Sequence, residues 1–175
     1  FGRGAMTNHW ADMQHAKTIL VEGSNVAENH PMAFKWIRKA QENGAKIIHV
    51  DPRFTRTSAA ADVYARIRPG TDIPVLMGMM WHIFRNGWED KEFIKQRVHG
   101  FEEARKEIDK WNPQEVERVR GVPGEQLERG AKLFATEKPA TLRWSMGQTQ
   151  HTVGTANVRA SCMLLLSTGN VGKPG

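Results

Sequence analysis

The chain has 175 residues, 39% hydrophobic and 25% charged, with six tryptophans, which places it among globular domains and excludes disordered and fibrous chains. Cys162 is the lone cysteine, so no internal disulfide framework and no multi-cysteine zinc or iron–sulfur site can be built from this chain alone. An excess of 25 Lys and Arg over 19 Asp and Glu gives +6 and a sequence pI of 9.7, which suits an anionic partner such as nucleic acid, a phosphorylated cofactor or an acidic protein face, and equally suits a merely soluble surface.

Phe1 follows no initiator methionine or basic-then-apolar leader, and the chain closes on the turn Val171-Gly172-Lys173-Pro174-Gly175; a portion of a longer chain is expected. At this size a single domain over residues 1–175 buries roughly two-thirds of its surface. Lys17 to Val21 is a short aliphatic run ending at Glu22-Gly23-Ser24-Asn25, as a buried parallel strand should. Pro31 suits a first helical turn, and Ala33, Trp36, Ile37 and Ala40 fall on one face before Asn43-Gly44 stops the helix. Lys46 to Val50 is the next strand, closed by Asp51-Pro52, so residues 17–50 make a strand–helix–strand unit with parallel pairing.

Thr57 to Ala61 is expected as a short helix and Val63 to Ile67 as a third strand, entering the turn Arg68-Pro69-Gly70-Thr71-Asp72. The richest apolar stretch, Ile73 to Phe84, reads as a buried helix, too short and too interrupted by Gly78 and His82 to span a membrane. Residues 91–137 are charged and helical, with Phe101, Ala104, Ile108 and Trp111, then Leu127, Ala131 and Phe134, at core-facing intervals. Pro139 leads into a fourth strand, Thr141 to Trp144, and a last helix runs from about Thr155 to Leu166. The fold class is α/β: an αβα sandwich around a mainly parallel, dinucleotide-binding-like sheet.

In an open parallel sheet ligands bind beyond the carboxyl ends of the strands, so four loops matter most: 22–31, 51–57, 68–72 and 145–151. In the first, Gly23, Ser24 and Asn25 would let backbone amides and short polar side chains approach a phosphate. It lacks G-x-G-x-x-G, which disfavours a standard NAD site. Asp51, 28 residues beyond Gly23, is placed to accept hydrogen bonds from ribose hydroxyls, and Arg53 to pair with a phosphate or stack on a base. The alternative is a turn-capping Asp51 with a solvated Arg53. Asp72 could cap the following helix or accept the N–H protons of a guanine. His30 and His151 lie in strand-end loops, more in keeping with hydrogen-bonded structural histidines than with catalysts. The histidines lack the spacing of a zinc hydrolase, and neither a nucleophile elbow nor a Walker lysine motif occurs.

Taken in order, FGRGAMTNHW, EGSNVAENHP, VDPRFTRTSAAAD, RPGTDI, MGQTQHTVG and STGNVGKPG resemble the large subunit of molybdenum- or tungsten-dependent formate dehydrogenases, in the DMSO-reductase group of molybdopterin oxidoreductases. The resemblance covers nearly the whole chain but only an internal portion of that subunit. It implies a bis-molybdopterin guanine dinucleotide cofactor carrying Mo or W, one dinucleotide lying across the strand ends of this domain. The positions it assigns to cofactor binding are Glu22, Gly23, Ser24, Asn25 and Glu28; Asp51, Arg53 and Thr55; Gly70 and Asp72; and Met146, Gly147 and Gln150.

The same resemblance implies formate oxidation to CO2, or the reverse, in the full subunit, with electrons passing to a 4Fe-4S cluster whose ligands lie outside this chain. An iron–sulfur electron-transfer subunit is the implied partner. No catalytic residue and no metal ligand fall within the chain, and Cys162 is expected to be a buried structural thiol. The FGRGAMTNHW block points to the exported, respiratory branch and so favours a periplasmic over a cytoplasmic location. Two alternatives stand beside this reading: the equivalent domain of another molybdopterin oxidoreductase such as nitrate reductase, and a catalytically silent binding module. Scattered basic residues without an aromatic-plus-basic motif argue against nucleic acid.

Overall fold

The structure, a computed structural model, describes residues 6–175. Strands β1 (Thr18–Glu22), β2 (Lys46–Val50), β3 (Val63–Ala65) and β4 (Ala140–Trp144) form one all-parallel sheet in the order β3-β2-β1-β4. The chain winds outward from β1 through β2 to β3, then returns to place β4 on the other side of β1. That reversal is a topological switch point, and the crevice it creates opens at the carboxyl ends of β1 and β4. The register sets Glu22 beside both Val50 and Trp144, so three strands end level with one another.

Alternation along the strands divides the core in two. Leu20, Ile48, Val50, Ala140 and Leu142 face one layer, and Ile19, Val21 and Ile47 face the other. Helices on both sides bury these faces, which is why β1 carries no exposed residue. On one side lie a 3-10 helix (Trp10–His15), α1 (Val26–Asn29) and α2 (Pro31–Glu42), whose Ala33, Ile37 and Ala40 reach the core. Next come α3 (Arg56–Ala59) and, on the opposite face, α4 (Asp72–Arg85), which packs against four later helices and is buried along most of its length.

The charged stretch 91–137 holds four helices: α5 (Lys91–Arg97), α6 (Phe101–Ile108), α7 (Pro113–Arg120) and α8 (Gly124–Thr136). Asp90 and Asn112 cap the first and third by accepting from the Phe93 and Glu115 amides at 3.0 Å each. The chain then forms β4, a single helical turn α9 (Met146–Thr149), and α10 (Gly154–Thr168).

Three details differ from the sequence reading. The third strand stops at Ala65 instead of Ile67, because its partner β2 ends at Val50 and Pro52 has no N–H with which to extend the ladder. Loops 22–31 and 145–151 each contain a helical turn. Cys162 is half-buried, contrary to the expected buried thiol. The core stripe of α10 is Asn157, Ala160, Ser161, Leu164, Leu165 and Thr168, and Cys162 sits one position past it, about 100° round the helix.

A close backbone approach joins Gly23, just after β1, to Gly147, in the turn after β4. Gly147 N donates to Gly23 O at 3.0 Å. Gly23 has φ +57°, and a Cβ on it would lie 2.6 Å from Gln148 N, while a Cβ on Gly147 would lie 2.7 Å from Gly23 O. Both neighbours are backbone and cannot swing away. We therefore expect Gly23→Ala and Gly147→Ala each to destabilise the chain by about 2–4 kcal/mol in urea unfolding followed by tryptophan fluorescence. Gly44→Ala, at φ +92° but with open space around it, should cost only about 1 kcal/mol.

Candidate functional site

A cleft of about 450 Å³ opens at the carboxyl edge of the sheet. Its lining comes from the four strand-end loops: Gly23, Ser24 and Asn25; Asp51 and Arg53; Gly70 and Asp72; Met146 and Gly147. Asn29, Pro52, Ile67, Pro69, Ser145 and His151 complete it. Ser145 and Ile67 carried no chemical signal in the sequence; only the positions of neighbouring strands reveal them. His151 also lines the cleft, its Nε2 lying 2.9 Å from Gly147 O.

Four residues assigned by the resemblance do not line the cleft. Thr55 is a helix cap: its Oγ1 accepts from Ser58 N at 3.4 Å, and Ser58 Oγ accepts from Thr55 N at 2.8 Å, a reciprocal box that starts α3. Glu28 accepts from Asn25 Nδ2 and stands 3.7 Å from Arg56 Nε, so it orients the first loop from outside. Gln150 is exposed and donates to Met146 Sδ at 3.3 Å. Glu22 lies beneath the cleft with no solvent exposure.

The remaining groups are held by specific partners. Asn25 Oδ1 accepts from Thr57 Oγ1 at 3.1 Å, and the same hydroxyl accepts from Ala27 N at 3.0 Å, tying the first loop to α3. Asp51 Oδ1 accepts from Arg53 N at 2.8 Å, the turn-capping arrangement, while its Oδ2 stands 3.9 Å from His49 Nε2. Arg53 is exposed at the cleft rim. His49, fully buried, has Nδ1 at 2.8 Å from Ser58 Oγ; burial holds its pKa down although Asp51 pulls the other way, so the ring is neutral near pH 7.

Asp72 is the first residue of α4, and Thr71 occupies the cap position, so the capping alternative for Asp72 does not hold. Its carboxyl is 2% exposed, and burial raises its pKa, with Asp51 adding to the rise and His151 opposing it. Ser24 Oγ and Asp72 Oδ2, both in the lining, are buried atoms with no hydrogen-bond partner in the protein. Such groups cost about 1–3 kcal/mol each when left unsatisfied, so the cleft is built to meet a ligand with one polar atom for the hydroxyl and an N–H or O–H donor for the carboxylate.

The lining of the cleft carries groups of both signs. Carboxylates at Asp51 and Asp72 repel an anion, while the glycine-flanked backbone at 23–25, with Arg53 at the rim, admits one. The Gly23–Gly147 approach also removes every side chain from the point where the first and last loops meet. A ligand that carries both an anionic group and hydrogen-bond donors fits this lining.

Residues 2–175 match the family model for molybdopterin oxidoreductase. The whole chain aligns at 41% identity with the F420-dependent formate dehydrogenase subunit alpha of Methanocaldococcus jannaschii and at 40% with subunit alpha of formate dehydrogenase 1 of Methanococcus maripaludis, covering 26% of each. It is 36% identical to the formate dehydrogenase-O major subunit of Escherichia coli and covers 23% of it. Among solved structures, acetylene hydratase from Pelobacter acetylenicus superposes with a TM-score of 0.85 at 25% identity, over 93% of this chain and 24% of that one. The chain thus spans about a quarter of the length of the curated relatives it matches, and it belongs to the molybdopterin oxidoreductase family.

Proposed function

We propose that this chain is the dinucleotide-binding portion of a formate dehydrogenase alpha subunit, and that its cleft holds one pterin guanine dinucleotide of a bis-dinucleotide Mo or W cofactor. The observation that carries the reading is the pair of orphaned buried atoms, Ser24 Oγ and Asp72 Oδ2, in a cleft at the β1/β4 switch point. The whole-chain identity to formate dehydrogenase alpha subunits supports the choice of substrate.

In this reading the loop at Gly23, Ser24 and Asn25 takes the pyrophosphate, aided by Arg53. Asp72 accepts the N–H protons of the guanine, which favours its ionised form and relieves the burial penalty on the carboxyl. Asp51 Oδ2 accepts from the ribose, while Oδ1 remains bound to the Arg53 amide. Met146 and Gly147 face the pterin side, and Glu28 and Thr55 act indirectly by fixing the loops. When bound, the metal–pterin centre supplies two-electron oxidation of formate to CO2, with electrons leaving through a 4Fe-4S cluster toward an iron–sulfur partner subunit. This chain contributes binding and orientation, and we assign it no catalytic residue and no metal ligand.

Two tests follow. In the full-length protein, Asp72→Ala should lower retention of the guanine dinucleotide by about 10- to 100-fold, the loss expected when a buried base-recognition group is removed. Pterin released on denaturation and quantified by fluorescence reads this directly; undiminished retention would overturn the role of Asp72. The purified parent should also contain molybdenum or tungsten and reduce a dye with formate but fail to reduce nitrate. The 175-residue chain by itself should give no formate turnover.

A further inference from the structure

Beneath the cleft, Glu22 and Gln148 lie against one another without solvent exposure, on the two strand ends whose backbones meet at Gly23 and Gly147. Gln148 Nε2 donates to Glu22 Oε2 at 2.8 Å and to Ser161 Oγ at 2.6 Å, which uses both amide protons. The other two oxygens, Glu22 Oε1 and Gln148 Oε1, are buried and have no hydrogen-bond partner. With Glu22 ionised, both are acceptors and neither can serve the other. No lysine or arginine pairs with Glu22 among the described residues, and Asp72 adds a second acidic group nearby. An uncompensated carboxylate in that position is among the most costly groups a core can hold.

One proton removes all of these conflicts. Placed on Glu22 Oε1, it makes that oxygen a donor, and the unsatisfied acceptor on the side chain already bound to Oε2 is Gln148 Oε1. We propose that Glu22 is a neutral carboxylic acid joined to Gln148 in a paired acid–amide arrangement, and that it acts as a positioning residue holding the Ser145–His151 wall of the cleft against the first loop. The wall's own backbone depends on this anchor, since Gln148 O in turn accepts from Asn157 Nδ2 at 2.8 Å and so fastens α9 to α10.

The electrostatics agree. Burial pushes the Glu22 carboxyl well above the usual carboxylate range, Asp72 pushes it further, and the Gln148 hydrogen bond opposes them in part. Asp72, at the start of α4, is the charged group facing Glu22, and Asp51 and His151 act on Asp72 in turn. On the α10 side the neighbours are Ser161 and Asn157, which carry no charge. Because the closed-state pKa lies above the open-state one, the pair's contribution is complete below the ordinary glutamate value of about 4.3 and is lost as pH rises toward the raised value. The inference is independent of which ligand fills the cleft.

Hydrogen exchange by mass spectrometry on the full-length protein tests it locally, on peptides covering residues 145–157, from pH 5 to 9 after correction for intrinsic exchange. The wild type should lose protection up to about tenfold per pH unit, the dependence set by one linked proton, until the raised value is passed. Glu22→Gln replaces the acid by an amide that can still make both bonds, so it should keep the low-pH protection of the wild type and show no such pH dependence. Infrared spectra of protein carrying carboxyl-labelled glutamate should show a protonated carboxyl band at neutral pH that disappears in Glu22→Gln and shifts in Gln148→Ala. A wild-type spectrum without that band at neutral pH overturns the proposal even if Glu22→Gln does not fold. Protection of Glu22→Gln that falls with pH as the wild type does, or that is lost at every pH, overturns it as well.

Discussion

The hydrogen bond from Gly147 N to Gly23 O, with no side chain between the two backbones, is the constraint on which the site depends. Strands β1 and β4 are neighbours in the sheet but far apart in sequence, separated by two further strands and the helices α1 through α8. Joining their ends requires the whole αβα core to be in place. Once joined, the first and last loops form the two walls of one cleft, and the second and third loops close its far end. The same juxtaposition brings Glu22 and Gln148 together below, so packing above and polar bonding below reinforce a single contact. A side chain at either glycine would force the two walls apart.

The polar layer around this contact serves two purposes that differ in kind. Thr55, Ser58, Thr57, Asn25 and Glu28 satisfy one another and fix the shape of the first two loops. Ser24 Oγ and Asp72 Oδ2 are left over. Of the buried polar atoms without a partner in this region, Ser24 Oγ and Asp72 Oδ2 belong to residues that line the cleft, where a ligand can offset their cost, whereas Glu22 Oε1 and Gln148 Oε1 lie beneath it. That division between supporting and receiving groups is why the proposed dinucleotide reading rests on Ser24 and Asp72 more than on the fully engaged Asn25.

Much of the fold was legible in the sequence. Aliphatic runs at Lys17–Val21 and Lys46–Val50 fall within one residue of the strands, because a central parallel strand buried on both faces is predominantly aliphatic. The loops were legible for the same reason: they begin where those runs stop. Ends without such a sharp change were less clear. The third strand was read two residues too long because Arg66 and Ile67 continue its alternation, while pairing is ended by Pro52 on the neighbouring strand. Within the site, residue type alone did not separate Asp51, which faces the cleft, from Thr55, which caps a helix four residues later. Gln148 lies in the loop 145–151 that the sequence marks, but nothing there distinguishes it from its neighbours, since its role depends on a partner 126 residues away.

We propose that the β1/β4 switch-point cleft receives a pterin guanine dinucleotide. A cofactor-loaded structure of the full-length protein, at a resolution that places the guanine and the pyrophosphate, tests this most directly. The pyrophosphate should lie against Gly23, Ser24 and Asn25, and the guanine N–H groups on Asp72. A dinucleotide bound elsewhere in the subunit, with Ser24 and Asp72 satisfied by other parts of the polypeptide, would contradict it.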